Sequence, residues 1–388
     1  MLRIALLIES SRMYGRELLR GIAAYAHRVG PWLFFHEERA FSDPIPPMLK
    51  RWSPDGILVR LANDELTRKI RNLHLPTVDV YRDEEIRDIP GVTIDQDLLV
   101  GQAIRHFQER GFQNYAYCGF TGVFFSENRE ASFARQLGEK GIQPYIFRHP
   151  PLSGQGGLAA IEAHAARFAA KLAKWLRGLP KPIALLACND MRALQVLNVC
   201  NAYGIAVPEE VAVLGVDNDP IQCELSTPPL SSIDPNAARI GYEAAALLHR
   251  LIEGHPKPSR RILIEPRGVV ARRSTDVLAV GDSDAAAAIR YVRRNALTRS
   301  SYQKILLDLQ LSRSTLERWF QRHLGHSVST EILLIRLKHI QELLLNTTQS
   351  LATIAQLCGF SHVETMSRLF KRHVGLTPGE YRRRGKHP

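Results

Sequence analysis

The sequence predicts two fold classes in one chain: an α/β body built on parallel sheets, then an all-α domain with two helix-turn-helix units. Three observations lead there. Strand and helix signals alternate through the first 275 residues, and after them only helix signals remain. Basicity is confined to one end. Of the formal net charge of +12, Asp284–Pro388 holds 17 Lys/Arg against 7 Asp/Glu, whereas residues 1–283 hold 34 against 32. Finally, Arg318-Trp319-Phe320-Gln321-Arg322-His323-Leu324-Gly325 returns fifty residues later as Arg368-Leu369-Phe370-Lys371-Arg372-His373-Val374-Gly375.

A chain of 388 residues exceeds one ordinary core. We read an α/β body over 1–275, a linker over 276–284 and an all-α domain over 285–388. Within the body, Arg3–Ile8 is an apolar run closed by Glu9-Ser10-Ser11, a first buried strand. Arg16–Arg28 carries Leu18, Leu19, Ile22, Ala23 and Ala26 at helical spacing. Gly56–Val59 and Thr77–Val80 are short strands. Leu98–Arg110 is a helix stopped by Gly111, Tyr115–Gly119 a strand, Arg129–Glu139 a helix stopped by Gly141, and Tyr145–Phe147 a strand. Ile161–Leu176 reads as one long amphipathic helix. Ile183–Cys188 and Val211–Val216 are apolar strands that run directly into Asn and Asp residues. Such alternation implies parallel sheets covered on both faces. Ligands of these sheets bind beyond the carboxyl ends of the strands. That singles out Glu9–Arg12, Asp79–Arg82, Gly119–Arg129, Asn189-Asp190 and Asp217–Asp219.

The last quarter reads as helices at Ala285–Asn295, Tyr302–Leu309, Ser314–His323, Ser329–Leu345, Leu351–Leu357, Val363–His373 and Pro378–Arg384. Ahead of each octet a short helix and a tight turn lead into the second helix that carries it. Leu316, Trp319, Phe320 and Leu324 share one face of the first copy, as Met366, Leu369, Phe370 and Val374 do in the second. This is the helix-turn-helix pattern, whose second helix reads the major groove. A basic domain on a near-neutral body points to nucleic acid.

Ile354-Ala355, Cys358-Gly359-Phe360, Arg368-Leu369-Phe370-Lys371, Gly375-Leu376-Thr377-Pro378 and Tyr381-Arg382 resemble the signature of the arabinose-regulator (AraC/XylS) family of transcription factors. The resemblance implies two recognition helices on one face of double-stranded promoter DNA, joined by the long helix Ser329–Leu345. It implies DNA-facing roles for Arg313, Ser314, Glu317 and Arg318 in the first copy, and for His362, Val363, Glu364, Ser367 and Arg368 in the second. Arg318 and Arg368 are the expected guanine readers, and Lys371 and Arg372 the expected phosphate contacts.

Ala187-Cys188-Asn189-Asp190-Met191-Arg192-Ala193, Val211–Asn218, Pro229–Ile233 and Gly241–Ala245 resemble the lactose-repressor/periplasmic sugar-binding family, over about residues 1–275. The implied fold is two parallel-sheet lobes hinged by three crossings around a small ligand. The implied hydroxyl contacts are Asp190, Asp217 and Arg129, then Asn189 and Asn218. Loop position offers Phe124, Phe125 or Tyr14 as a stacking face. Asp190 has a second reading as a helix N-cap, and Asp217 as an Asx-turn residue. In the lactose-repressor family a DNA-binding headpiece precedes this fold; here the first strand begins the sequence, and the DNA task is expected at the other end.

The expected protein is a sugar-responsive transcription regulator, an activator in contact with RNA polymerase, acting as a homodimer. A sugar-sensing body followed by an arabinose-type domain resembles an arrangement known among pentose regulators, and that resemblance implies a pentose effector, D-xylose foremost. Alternatives are a regulator of another small sugar or metabolite, or a sugar-processing α/β enzyme tethered to DNA. No P-loop, GxSxG or metal-spaced cluster supports catalysis, a metal or a cofactor. The five cysteines are scattered without a CxxC pair, which fits a reducing cytoplasm. No run of about 18 apolar residues occurs, so no membrane partner is expected.

Overall fold

The apolar runs of the first 275 residues become the strands of two larger sheets and a third of two strands. The computed structural model describes residues 1–388 except 39–42, 83, 85, 87, 153–157, 278–282, 299–301 and 387–388. It divides into two compact units, Met1–Gln108 with Phe112–Val277, and Glu109–Gly111 with Leu278–Pro388.

The first unit opens with β1 (Leu2–Leu7), α1 (Met13–Val29), β2 (Trp32–His36), α2 (Met48–Trp52), β3 (Gly56–Val59), α3 (Asp64–Arg71) and β4 (Thr77–Asp79). These strands form one parallel sheet in the order β2-β1-β3-β4. The chain continues through β5 (Val92–Ile94), α4 (Gln96–Gln108), β6 (Tyr115–Cys118), α5 (Phe124–Gly138), β7 (Tyr145–Phe147), α6 (Leu158–Ala166) and α7 (Ala169–Gly178). After these come β8 (Ile183–Ala187), α8 (Asp190–Tyr203), β9 (Val211–Val216), α9 (Pro220–Leu225) and β10 (Ser231–Asp234). The unit closes with α10 (Ala237–Ile252), β11 (Ile262–Ile264) and β12 (Gly268–Val270). The second sheet has the order β12-β10-β9-β8-β6-β7, parallel except for β12 against β10. Strands β3, β8 and β9 are buried at every position, as fully apolar strands between helices must be.

The chain passes between the lobes after β5, after β10 and after β11, and the three passages are laced together. Asp95 N donates to Ile264 O at 2.9 Å, Arg267 N to Asp234 O at 3.0 Å, and Asn236 Nδ2 to Glu265 O at 3.2 Å. Next to them lies a buried ion pair. Asp79 accepts from Arg261 Nη2 at 2.8 Å and from the N–H groups of Leu61 and Arg82 at 3.0 and 2.9 Å. Both side chains are almost wholly removed from solvent, at 2% and 0% exposure. Burial pushes the Asp79 carboxyl up, against the pull of Arg261 and the two N–H groups.

Two expectations change here. The helix expected over Ile161–Leu176 is two, α6 and α7, broken at Arg167-Phe168. Phe168 leaves the helical path to stack on His149, with ring centres 6.0 Å apart, and to meet His164 edge-on at 5.2 Å. Of the expected linker 276–284, residues 278–282 lie outside the described residues, and Ser283 and Asp284 already belong to a helix.

That helix, α11 (Ser283–Asn295), begins the second unit. It is followed by α12 (Tyr302–Leu309), α13 (Arg313–Leu324), α14 (Val328–Asn346), α15 (Leu351–Leu357), α16 (Val363–Val374) and α17 (Pro378–Lys386). Ser312, Ser327 and Ser350 cap α13, α14 and α15, each accepting from the N–H three residues on at 3.1–3.2 Å. Two cores result. Phe320 and Leu316 pack with Ile289, Val292 and Ile305; Phe370 and Met366 pack with Ile340, Ile354 and Phe360.

Arg261→Ala leaves the Asp79 carboxylate buried beside the lobe crossings. It is expected to cost about 3–5 kcal/mol, read as a lower urea midpoint for the first unit. An unchanged midpoint contradicts this assignment of the pair.

Candidate functional site

In the first unit, the ends of five strands converge on one cavity between the lobes. The first lobe supplies Glu9, Arg12 and Tyr14 after β1, Arg60 after β3 and Tyr81 after β4. The crossings supply Thr93, Ile94 and Gln96. The second lobe supplies Phe125 and Arg129 from α5, Asn189 after β8, and Asp217 and Asp219 after β9. The space open to the centres of water molecules is about 60 Å³, several times what one buried water needs.

Its charges come in pairs. Arg60 Nη1 donates to Glu9 Oε1, and Arg12 Nη2 to Glu162 Oε2 of α6. Burial penalises the Arg60 cation, but Glu9, Tyr14, Tyr81 and Asp217 outweigh it and hold its proton more firmly. Arg129 donates from Nε to Gln96 Oε1 at 2.9 Å and from Nη1 to the Cys188 carbonyl. The rings serve these cations: Arg60 lies over Tyr14 and Tyr81, at 5.0 and 4.9 Å from the ring centres, and Arg129 over Phe125 at 5.1 Å. Glu9 Oε2 is buried without a hydrogen-bond partner among the described residues.

The loop after β9 is held by three consecutive N–H groups. Asp217 N donates to Ile233 O at 3.0 Å, Asn218 N to Ser232 Oγ at 3.0 Å, and Asp219 N to Asp190 Oδ2 at 2.8 Å. Asp217 and Asn218 have φ of 114° and 48°, a left-handed region that side chains rarely enter unless their surroundings hold them. Asp190 Oδ1 accepts from Ser232 Oγ at 2.5 Å, and Gly215 makes this possible, since a Cβ there would sit 2.2 Å from that oxygen. Burial, then the neighbouring Asp217, push Asp190 well above the ordinary carboxylate range. Burial pushes Asp217 up to about 6, against Arg129 and Arg60.

Of the residues named from sequence, Asp217, Arg129, Asn189, Phe125 and Tyr14 come together on the cavity. Asp190 does not line it; its carboxylate faces Ser232 and Asp219, and Asn189 caps α8 by accepting from Arg192 N at 2.9 Å. Asn218 is also turned away, its Oδ1 accepting from Arg272 Nη2 at 3.0 Å. Phe124 lines the larger neighbouring cleft instead, with Ala62, Leu66 and Pro151. Sequence reasoning missed Arg60 and Gln96. Arg60 directly follows a strand that was recognised, so the same strand-end rule finds it.

In the second unit the two octets present the same surface. From Ser314 to Arg322, and from Glu364 to Arg372, exposure follows one pattern position by position, with Leu316, Phe320, Met366 and Phe370 buried. Arg313, Ser314, Arg318, His362, Glu364, Arg368, Lys371 and Arg372 are exposed. Glu317 is a correction. Its Oε1 accepts from the Tyr302 hydroxyl at 2.9 Å and its Oε2 from Val328 N at 3.2 Å, so it braces α12 and α14 rather than facing outward. Val363 packs against the second core, and Ser367, the counterpart of Glu317, is half-buried. Helix α14 has 19 residues and so spans about 28 Å, close to the 34 Å between successive major grooves on one face of DNA.

Comparison with known proteins agrees with both halves. Residues 104–275 match the periplasmic binding protein-like domain and residues 307–384 a helix-turn-helix domain. The chain is 30% identical to the xylose operon regulatory protein of Escherichia coli (strain K12), covering 98% of this chain and 96% of that one. Identity to the protein of that name from Haemophilus influenzae is also 30%, over 98% of each chain. The solved structure of the xylose-binding transcription activator xylR is similar over 98% of this chain and 97% of its own, with 29% identity and a TM-score of 0.62. A Rhodococcus regulator of the lactose-repressor type shares the fold over 72% of the chain, at 19% identity and a TM-score of 0.59.

The folded state keeps a proton on Asp217 up to about pH 6, which the unfolded chain releases near 4. The stability from that proton is complete below about pH 4 and is lost as pH rises through about 6. Asp217→Asn removes the loss. Its thermal midpoint is expected to match the parent's at about pH 3.5 and to exceed it at about pH 7.5, a gain of roughly 1–3 kcal/mol. Equal midpoints across this range contradict the burial of Asp217.

Proposed function

We infer function from descent: the chain belongs to the family of the xylose operon regulatory proteins. It is a sugar-responsive, DNA-binding transcription regulator, and we propose D-xylose as its effector. The observation that carries the reading is one chain holding both a paired-charge cavity at converging strand ends and two copies of a recognition helix. Arg60 and Arg12 are paired with Glu9 and Glu162, and Arg129 lies within the field of Asp217, so the cavity offers many hydrogen-bond directions with its cations largely compensated. A neutral polyol suits it better than a sugar phosphate or sugar acid. Asp217, Asn189 and Arg129 are proposed to meet its hydroxyls, with Glu9 Oε2 as a further acceptor.

A ligand there touches both lobes and so favours the arrangement that brings them together. It shifts DNA binding only by the difference in its affinity for the two states, typically about 1–3 kcal/mol. On DNA, Arg318 and Arg368 are proposed to read guanine, while Lys371 and Arg372 hold phosphates. The protein acts in the cytoplasm as a dimer and as an activator that meets RNA polymerase.

Fluorescence anisotropy with promoter DNA of a xylose operon tests the sensing half. D-xylose is expected to change affinity by about 5–150-fold, and L-arabinose and D-glucose far less. No response to any pentose overturns the effector. The reading helices are tested separately. Arg368→Ala is expected to relax preference at one base position by about 1–3 kcal/mol, whereas Lys371→Ala weakens all sequences alike and lowers the salt slope by about 1. Equal, sequence-independent losses from both remove Arg368 as a base reader.

A further inference from the structure

The two helix-turn-helix cores share one connector, α14. Its first turns belong to the first core through Val328 and Ile332, and its later turns to the second through Leu337, Ile340 and Leu344. Arg336 sits at the changeover. Its Nε donates to Ala296 O at 2.7 Å and its Nη2 to Thr298 O at 3.0 Å. Those carbonyls directly follow α11, which is packed into the first core through Ala288, Ile289 and Val292. The face of the same guanidinium lies 5.3 Å from the ring centre of Phe360, in the turn of the second helix-turn-helix.

A second, independent feature meets at this point. Gly359 has φ +75°, and a Cβ there would lie 2.8 Å from Leu297 O and from Arg336 Nη2, and 3.0 Å from Thr298 O. Backbone of the second turn is therefore pressed onto backbone that leads into the first, closer than any other residue allows. Planarity and the forked donors let arginine bond two carbonyls and stack at once, which lysine does not do.

We propose that Arg336 is a positioning residue that sets the spacing of the two recognition helices, by clamping both helix-turn-helix units to the segment 296–298. It reads no base itself. It fixes which DNA spacing the pair accepts. One inserted base pair moves a half-site by about 3.4 Å along the axis and about a tenth of a turn around it. A rigid pair of readers does not follow that change, whereas a loosened pair does.

The experiment uses the full chain and a promoter fragment on which the two half-sites met by α13 and α16 of one chain have been mapped by footprinting. Affinity is measured on the natural spacing, on the same fragment with one base pair inserted, and on a single half-site. Parent protein is expected to lose about tenfold or more on the insertion. Arg336→Ala is expected to lose less than about threefold, with single half-site binding unchanged. Arg336→Lys, which keeps the charge, falls between them and carries the test if the alanine variant does not fold. Binding of the parent to the single half-site reports DNA reading as such, apart from spacing. The proposal is overturned if the variants keep the parent's spacing penalty, or if they weaken all three DNAs by the same factor.

Discussion

The sensor unit depends on one buried carboxylate, that of Asp190. It receives the hydroxyl of Ser232 on one oxygen and the N–H of Asp219 on the other, from a position that only a glycine at 215 leaves open. Through these bonds α8, β9, β10 and the loop after β9 are fastened to a single point. The loop needs fastening, because Asp217 and Asn218 occupy left-handed backbone that relaxes unless it is held. A rigid loop keeps Asp217 beside Arg129 and Arg60 before any ligand arrives, so little ordering is left to oppose binding.

The same residue type serves opposite purposes in the two units. In the cavity, Arg12 and Arg60 are paired with carboxylates, and Arg60 and Arg129 lie over aromatic rings. This cancels their long-range field and leaves their direction, which suits a neutral ligand with many hydroxyls. On α13 and α16 the arginines stand exposed on a domain of net charge +10 over Asp284–Pro388, where the field itself brings a polyanion. Glu317 marks the boundary between these uses. Its carboxylate is turned inward to Tyr302 and Val328, which takes a negative charge off the exposed basic face of α13.

Much of this was legible in the sequence, and the misses share a cause. Apolar runs and glycine stops located most elements, because burial on both faces leaves a continuous signal. The doubled octet located α13 and α16, because duplication repeats the inward residues. Adjacent polar residues were harder. Nothing local says that Asp190 turns to Ser232 and Asp219 while Asn189 takes the cap; the partners of Asp190 lie more than 25 residues away. Glu317 was misjudged for the same reason, since its partners come from α12 and the start of α14. Phe168 broke an expected helix because His149, on another segment, offered its ring a better place.

The doubled helix also bears on how much information the chain can carry. A recognition helix reaches base edges with three or four side chains, so two helices specify on the order of seven base pairs, or about one site in 10⁴. A bacterial genome presents at least about 10⁶ competing sites, which leaves a single chain with some hundred equally good addresses. Two chains side by side double the word length and square the odds, to roughly one in 10⁸. Counted this way, a duplicated motif falls short by itself of an unambiguous genomic address.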